Sequence, residues 1–183
     1  MEERLEKIFS NVNEWLKFAE AKNGVLVALN GGVIFAFLSA FGDKLLLKGL
    51  SFLSLEFFVG IFCWEFLICS CLSLLISLLS FFPQTKEKAF WFPSTSKKRN
   101  DNLLFYSDIQ KYTPLEFLNL ISETPKDSYN KSEVYFARQI ITNSRITHRK
   151  VTFFKAALFF NISAIVTFVF GIALFMLFSP NNE

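Results

Sequence analysis

Arg138, Arg145 and Arg149 recur at intervals of seven and four residues, a spacing that lays three guanidinium groups along one stripe of a helix. Gln139 and Asn143, four residues apart, form an adjacent amide stripe, and Lys150 follows Asn143 by seven. Arginine and lysine suit phosphate oxygens, while an amide pairs a donor with an acceptor as the edge of a nucleobase does. The simpler reading of a basic helix beside a membrane is positive-inside anchoring and contact with anionic lipid headgroups. Residue types alone favour that simpler reading. Glu20 and Lys22, followed by Asn23, stand just before a long apolar run. They mark a membrane boundary, or they pair with Arg145 or Asn143.

Enzyme chemistry finds little support. His148 is the sole histidine and lacks a second ligand residue, so it reads as an interfacial side chain. There is no Gly-rich phosphate loop and no nucleophile elbow. Cys63, Cys69 and Cys71 all fall inside one apolar run, where a thiol behaves as a small apolar group, so neither a disulfide nor a metal site is expected. Asn130-Lys131-Ser132 fits the glycosylation sequon but would not be used on a cytoplasmic face.

The elements that must position these residues are dominated by three apolar runs in 183 residues: Val25–Phe41, Phe57–Phe82 and Ala156–Phe178. About 20 apolar residues span a bilayer core of ~30 Å as a helix, with ~17 the lower limit. A chain this short cannot bury three such helices in a water-soluble core. The reading is an all-α integral membrane protein with three transmembrane helices, over 24–42, 55–82 and 156–178. An N-terminal amphipathic helix covers 1–23, and a small, mostly helical cytoplasmic insert covers 83–155. No secretory signal is evident, because the first apolar run follows a polar amphipathic segment. The insert carries 13 Lys/Arg against 7 Asp/Glu. That excess places it, with the N-terminus, on the cytoplasmic side and the C-terminus outside.

Within the first segment Leu5, Ile8, Val12, Trp15, Leu16 and Ala19 recur at helical spacing. Such a helix either lies at the lipid interface with Trp15 at headgroup level or packs on the insert. Asn30-Gly31-Gly32 in the first span points to a close helix contact, within or between subunits. Asp43, Lys44 and Lys48, with Gly42 and Gly49, mark an external loop.

Glu65 lies about a third of the way into the second span. An acidic side chain at the bilayer centre costs roughly 2.5–3.5 kcal/mol on insertion scales, so Glu65 should face a partner helix or a wet cavity. Ser70, Ser73, Ser77 and Ser80 form a polar stripe that packs helices or, with Glu65, lines an aqueous path.

In the insert, 84–101 reads as a loop carrying Lys97-Lys98-Arg99, and Asn102–Ile109 suits either strand or helix. Thr113-Pro114-Leu115-Glu116 is a helix start with Thr as N-cap, Pro at the first helical position and Glu at the third. It opens a short helix to Ile121. A second helix, capped by Ser132 with Glu133 in its first turn, runs to Lys155 and on into the third span.

Three stretches together resemble a known family. Trp15-Leu-Lys-Phe-Ala-Glu-Ala-Lys-Asn-Gly-Val-Leu-Val-Ala-Leu-Asn30 is similar to the opening of the Pycsar effector transmembrane family. Asn102-Leu-Leu-Phe-Tyr-Ser-Asp-Ile109 resembles its motif after the second span, and Arg138-Gln-Ile-Ile-Thr-Asn-Ser-Arg-Ile-Thr-His-Arg-Lys150 its stretch before the last. Tyr106-Ser107 stands where that family's pattern has Phe and a small residue such as Gly. The resemblance implies an inner-membrane anti-phage effector that answers a cyclic pyrimidine nucleotide, cyclic UMP or cyclic CMP, by impairing membrane integrity and causing abortive infection. By position, Glu20, Lys22, Asn23, Asn102, Gln139, Asn143, Ser144, Arg145 and Lys150 become candidate ligand-binding residues. Asn30 and Glu65 are candidates for pore lining or helix packing. The expected partners are membrane lipids, the nucleotide and further copies of the chain; no nucleic acid, metal or resident cofactor is expected. Two other readings are a membrane scaffold that binds no small ligand and a small channel component using Glu65 and the serine stripe without nucleotide.

Overall fold

The structure is a computed structural model that describes residues 1–47, 55–82, 96–98, 100–122 and 128–178, with backbone alone for 43–47 and 55–56. Among them 86% are helical and no strand occurs. The helices are α1 (Glu2–Leu47), α2 (Leu55–Leu79), α3 (Tyr106–Ile109), α4 (Pro114–Ile121) and α5 (Lys131–Phe178). Three of them, α1, α2 and α5, are long and apolar enough to cross a membrane. At ~1.5 Å per residue, α1 and α5, with 46 and 48 residues, reach ~70 Å each, more than twice a bilayer core. Each therefore has a membrane stretch and a wet stretch in one unbroken helix. Asp43 and Lys44 are helical, not loop: two charges without a proline do not stop a helix. Lys48, Gly49 and most of 84–101 lie outside the described residues.

The chain divides into two compact units, residues 1–22 with 80–152, and residues 23–79 with 153–183. In the first, the lobe, Leu5, Ile8 and Val12 of α1 recur every three or four residues and are buried against Ala137, Ile140 and Ile141 of α5. Phe117, Leu118 and Ile121 of α4 close this core with Ile109 and Tyr112. The amphipathic helix thus packs on the insert, as the second of its two readings had it. Trp15 stacks edge-on against Phe105 at 6.0 Å and lies 5.6 Å from Tyr106. Three polar pairs fix the α1–α5 register in the lobe. Ser132 donates to Glu2 at 2.9 Å, Asn143 to Asn13 at 2.7 Å, and Lys150 pairs with Glu20 at 3.1 Å. The partners are 130 residues apart each time, so these stretches of α1 and α5 run parallel.

Local signals explain the short elements. Thr113 Oγ1 accepts from the Glu116 backbone N–H while the Glu116 carboxylate accepts from that of Thr113, a reciprocal cap with Pro114 in the first turn. Of Asn102–Ile109, the first four residues form a turn and the last four are α3. Ser132 does not cap α5. The helix starts at Lys131, and Glu133 accepts from the Asn130 N–H at 3.0 Å. Asn130 therefore sits at the cap with an acid three residues on, leaving Ser132 free to reach α1.

Ahead of α4, Lys111 bridges Asp101 at 2.9 Å and Asp108 at 2.6 Å, and its side chain is only 6% exposed. Tyr112 donates to Asp101 as well, at 3.0 Å. The hydrogen bond from Lys111, then that from the Lys98 backbone, holds the Asp101 carboxyl down to about 2. An acid lowered by folding stabilises the fold above its unfolded value of 3.8, and that contribution is lost as pH falls toward about 2. Stability of the full chain against unfolding in detergent, followed by Trp15 fluorescence with Trp64 and Trp91 replaced by Phe, should fall from pH 4 to pH 2. The same titration of Asp101→Asn should be flatter, and an equally steep fall in both would remove Asp101 from the account.

In the second unit, the membrane unit, α2 runs antiparallel to the other two helices. Ser73 meets Asn30 and Ala157, Phe66 stacks on Phe37 and Phe168 at 4.9 and 4.8 Å, and Phe62 reaches Phe170. Ala157, Ala164 and Gly171, each seven residues on, give α5 a seam of small residues, which lets neighbouring backbones approach. Gly171 is the tightest point, since a Cβ there would lie 2.8 Å from Phe62 Cβ. Gly31 and Gly32 border open space, so within the chain Asn30 is the member of that tripeptide that makes a close helix contact.

Candidate functional site

The lobe brings part of the candidate set together on the seam between α1 and α5. Gln139 Nε2 donates to Asn143 Oδ1 at 3.1 Å, and Asn143 Nδ2 donates on to Asn13 Oδ1 at 2.7 Å. Two turns further along, Lys150 and Glu20 form the ion pair, with Glu20 half-exposed and Lys150 largely covered. Between these pairs Ser144 is fully buried, and its Oγ meets no hydrogen-bond partner among the described residues. Arg145 projects to the flank and is exposed. Its Nε donates to the Gln110 carbonyl at 3.4 Å, a long contact. That single hydrogen bond leaves the terminal guanidinium nitrogens uncommitted among the described residues.

Of the two readings of Glu20 and Lys22, the pairing with Arg145 or Asn143 does not form among the described residues. The constant register sets position 20 beside 150 and position 13 beside 143, and Arg145 turns toward the Gln110 loop. Lys22 lies over the Phe18 ring, 4.2 Å from its centre. Asn102 sits in a turn of its own: its Oδ1 accepts from the Leu104 N–H at 2.9 Å and its N–H donates to Asp108 at 3.0 Å. His148 Nδ1 is 3.3 Å from Ser107 Oγ. Asn13 was missed. It sits seven residues before Glu20, on the side of α1 that meets α5, and that spacing was the signal that could have found it.

In the membrane unit Asn23 is fully buried, and Asn30 is the hub of a polar network. Asn30 donates to the Leu26 carbonyl at 3.0 Å and to Ser73 Oγ at 2.9 Å, and accepts from Asn161 at 2.8 Å. Ser73 donates to the Ala157 carbonyl at 2.8 Å. Ser70, Ser73 and Ser77 are buried in this helix packing, whereas Glu65 is exposed on another face of α2 and accepts from Thr167 at 3.4 Å. The serines and Glu65 do not line one path within the chain. Among the described residues no cluster of three or more His, Cys, Asp or Glu is placed to hold a metal.

Amides suit a polar ring, and a guanidinium or an ammonium suits an anion; the seam holds two of the amides and the ammonium, and the guanidinium lies on its flank. Residues 4–177 match the family model of the Pycsar effector protein domain, PycTM. The chain belongs to this family. No curated protein and no solved structure matches it. The matched region covers all of the candidate residues in both units, and it makes this Pycsar effector a multi-pass membrane protein with an anti-phage effector role.

Proposed function

We propose that this Pycsar effector is switched on by cyclic UMP or cyclic CMP bound to the lobe on the cytoplasmic side of the inner membrane, and that its response impairs the membrane and aborts infection. The observation that supports it is the row of Gln139, Asn143 and Lys150 along the α1–α5 seam, with Arg145 exposed on its flank. Arg145 takes the phosphate through its terminal nitrogens, aided by Lys150 once that ammonium exchanges Glu20 for the ligand. Gln139 and Asn143, whose amides already hydrogen-bond in line, discriminate the base by swapping one amide partner for another. A ligand shifts a conformational equilibrium only by its differential affinity for the two states. Exchanging the Glu20–Lys150 and Asn13–Asn143 pairs supplies such a difference, because these pairs hold α1 to α5 in the ligand-free lobe. Since α5 is unbroken from Lys131 to Phe178, a turn imposed on its first half is carried along the helix. Three helices alone enclose no wide channel, so damage proceeds through a homo-oligomer.

The purified full chain should bind cyclic UMP or cyclic CMP and discriminate against purine cyclic nucleotides. A charge-assisted hydrogen bond to phosphate is worth about 1.5–3 kcal/mol, so Arg145→Ala should weaken binding by about ten- to a hundredfold. Gln139→Ala should narrow the gap between cyclic UMP and cyclic CMP more than it lowers total affinity. Titration calorimetry in detergent reads both. Unchanged affinity in Arg145→Ala removes that residue, and no binding to any cyclic nucleotide in the panel removes the reading as a whole.

A further inference from the structure

The polar centre of the membrane unit turns inward, whereas the one acid of α2 beyond its first turns, Glu65, does not. Asn30, Ser73 and Asn161 are buried and hydrogen-bonded to one another. Glu65 is on the outside, in a stretch of α2 whose other outward residues, Ile61, Trp64, Ile68 and Leu72, suit lipid. Its hydrogen bond from Thr167 is long, at 3.4 Å. Ser163, one turn before Thr167 on α5, continues the same polar strip and donates to the Phe159 carbonyl. Acyl chains offer a carboxyl neither donor nor acceptor, and ionisable groups within spans normally face protein or water.

We propose that the Glu65–Thr167–Ser163 strip is the surface through which copies of this chain assemble in the membrane. The strip carries an acceptor, Glu65, beside two hydroxyls on the adjacent helix, whose single protons go to Glu65 and to the Phe159 carbonyl within one copy and can be exchanged for a carboxyl across a contact. The same surface presented by a second copy therefore complements it, as a self-matching contact requires. Each carboxyl then meets a hydroxyl or the opposing carboxyl, away from lipid tails, and the strip's polar groups lie in an interior that the copies share. The surface goes beyond the oligomer named under the proposed function and does not depend on which messenger the lobe takes.

The test uses the full chain in phosphatidylethanolamine–phosphatidylglycerol vesicles, where only self-contacts can form. With Cys63, Cys69 and Cys71 changed to Ala, one cysteine is introduced by Ser163→Cys and, as a control on outward-facing α1, by Phe35→Cys. Oxidative crosslinking is read with and without cyclic UMP or cyclic CMP. Dimers should form at 163 at least fivefold faster than at 35 in one of these conditions. Adding Glu65→Leu should lower the rate at 163 about fivefold, whereas Glu65→Gln, whose amide still hydrogen-bonds between helices, should largely retain it. Equal rates at 163 and 35, or no effect of Glu65→Leu, overturn the proposal. A loss in both Glu65 variants alike also overturns it, since hydrogen bonding across the strip is then not the cause. Nucleotide binding measured on the same samples stands apart from all these outcomes, so failure of the strip and failure of nucleotide recognition are told apart.

Discussion

Phe117→Ala should cost the lobe about 3–5 kcal/mol, the range for removing a fully buried aromatic side chain. Phe117 is fully buried on α4 in the cluster that holds Leu5, Ile8 and Val12 of α1 and Ile140 of α5. Removing its ring takes away the apolar transfer term and leaves a void that long helices cannot collapse around, because the register pairs hold α1 and α5 at a set spacing. Whole domains are stable by only about 5–15 kcal/mol, so one such void consumes a large share. Denaturant unfolding of the full chain in detergent, followed by Trp15 fluorescence, checks it. Phe117→Leu, which keeps most of the volume, should lose far less. A loss under about 1 kcal/mol for Phe117→Ala would show that the core does not depend on this ring.

What could be read from the sequence was whatever is written in local spacing. The Thr113–Glu116 cap, the three-and-four repeat of Leu5, Ile8 and Val12 and the three apolar stretches each follow from one helix considered alone, and the structure has all of them. Ser132 went astray because Asn130, two residues earlier, is as good a cap and has Glu133 at the matching offset. Gly31 and Gly32 point to a close approach within or between subunits, and within the chain the tight contact falls at Gly171, where Ala157 and Ala164 share the seam. A glycine pair declares its smallness, but only a neighbouring helix decides which small residue is used. The candidate site was harder for the same reason. Its residues were legible one helix at a time, as stripes on α5 and a boundary cluster on α1. The 130-residue register that sets Lys150 on Glu20 and Asn143 on Asn13 is a property of two helices packed together.

Asn30→Ala should lower the stability of the membrane unit by about 1–3 kcal/mol, more than any one of its hydrogen bonds would suggest. Hydrogen bonds between helices in membranes average ~0.6 kcal/mol, with a maximum near ~1.7, because unfolded spans find other partners. Asn30, however, serves Leu26, Ser73 and Asn161 at once, and its loss leaves the Asn161 amide without its acceptor. A buried donor left unsatisfied costs about 1–3 kcal/mol, and acyl chains around a span offer no replacement partner. The double variant Asn30→Ala/Asn161→Ala should therefore cost less than the two single losses added together, because removing both ends of a hydrogen bond orphans neither. Steric trapping or detergent unfolding of the four chains completes the cycle. Additive losses would mean that Asn30 and Asn161 act separately. The polar centre of the unit would then be two isolated contacts and not one network holding α1 and α5 at the level of Ser73.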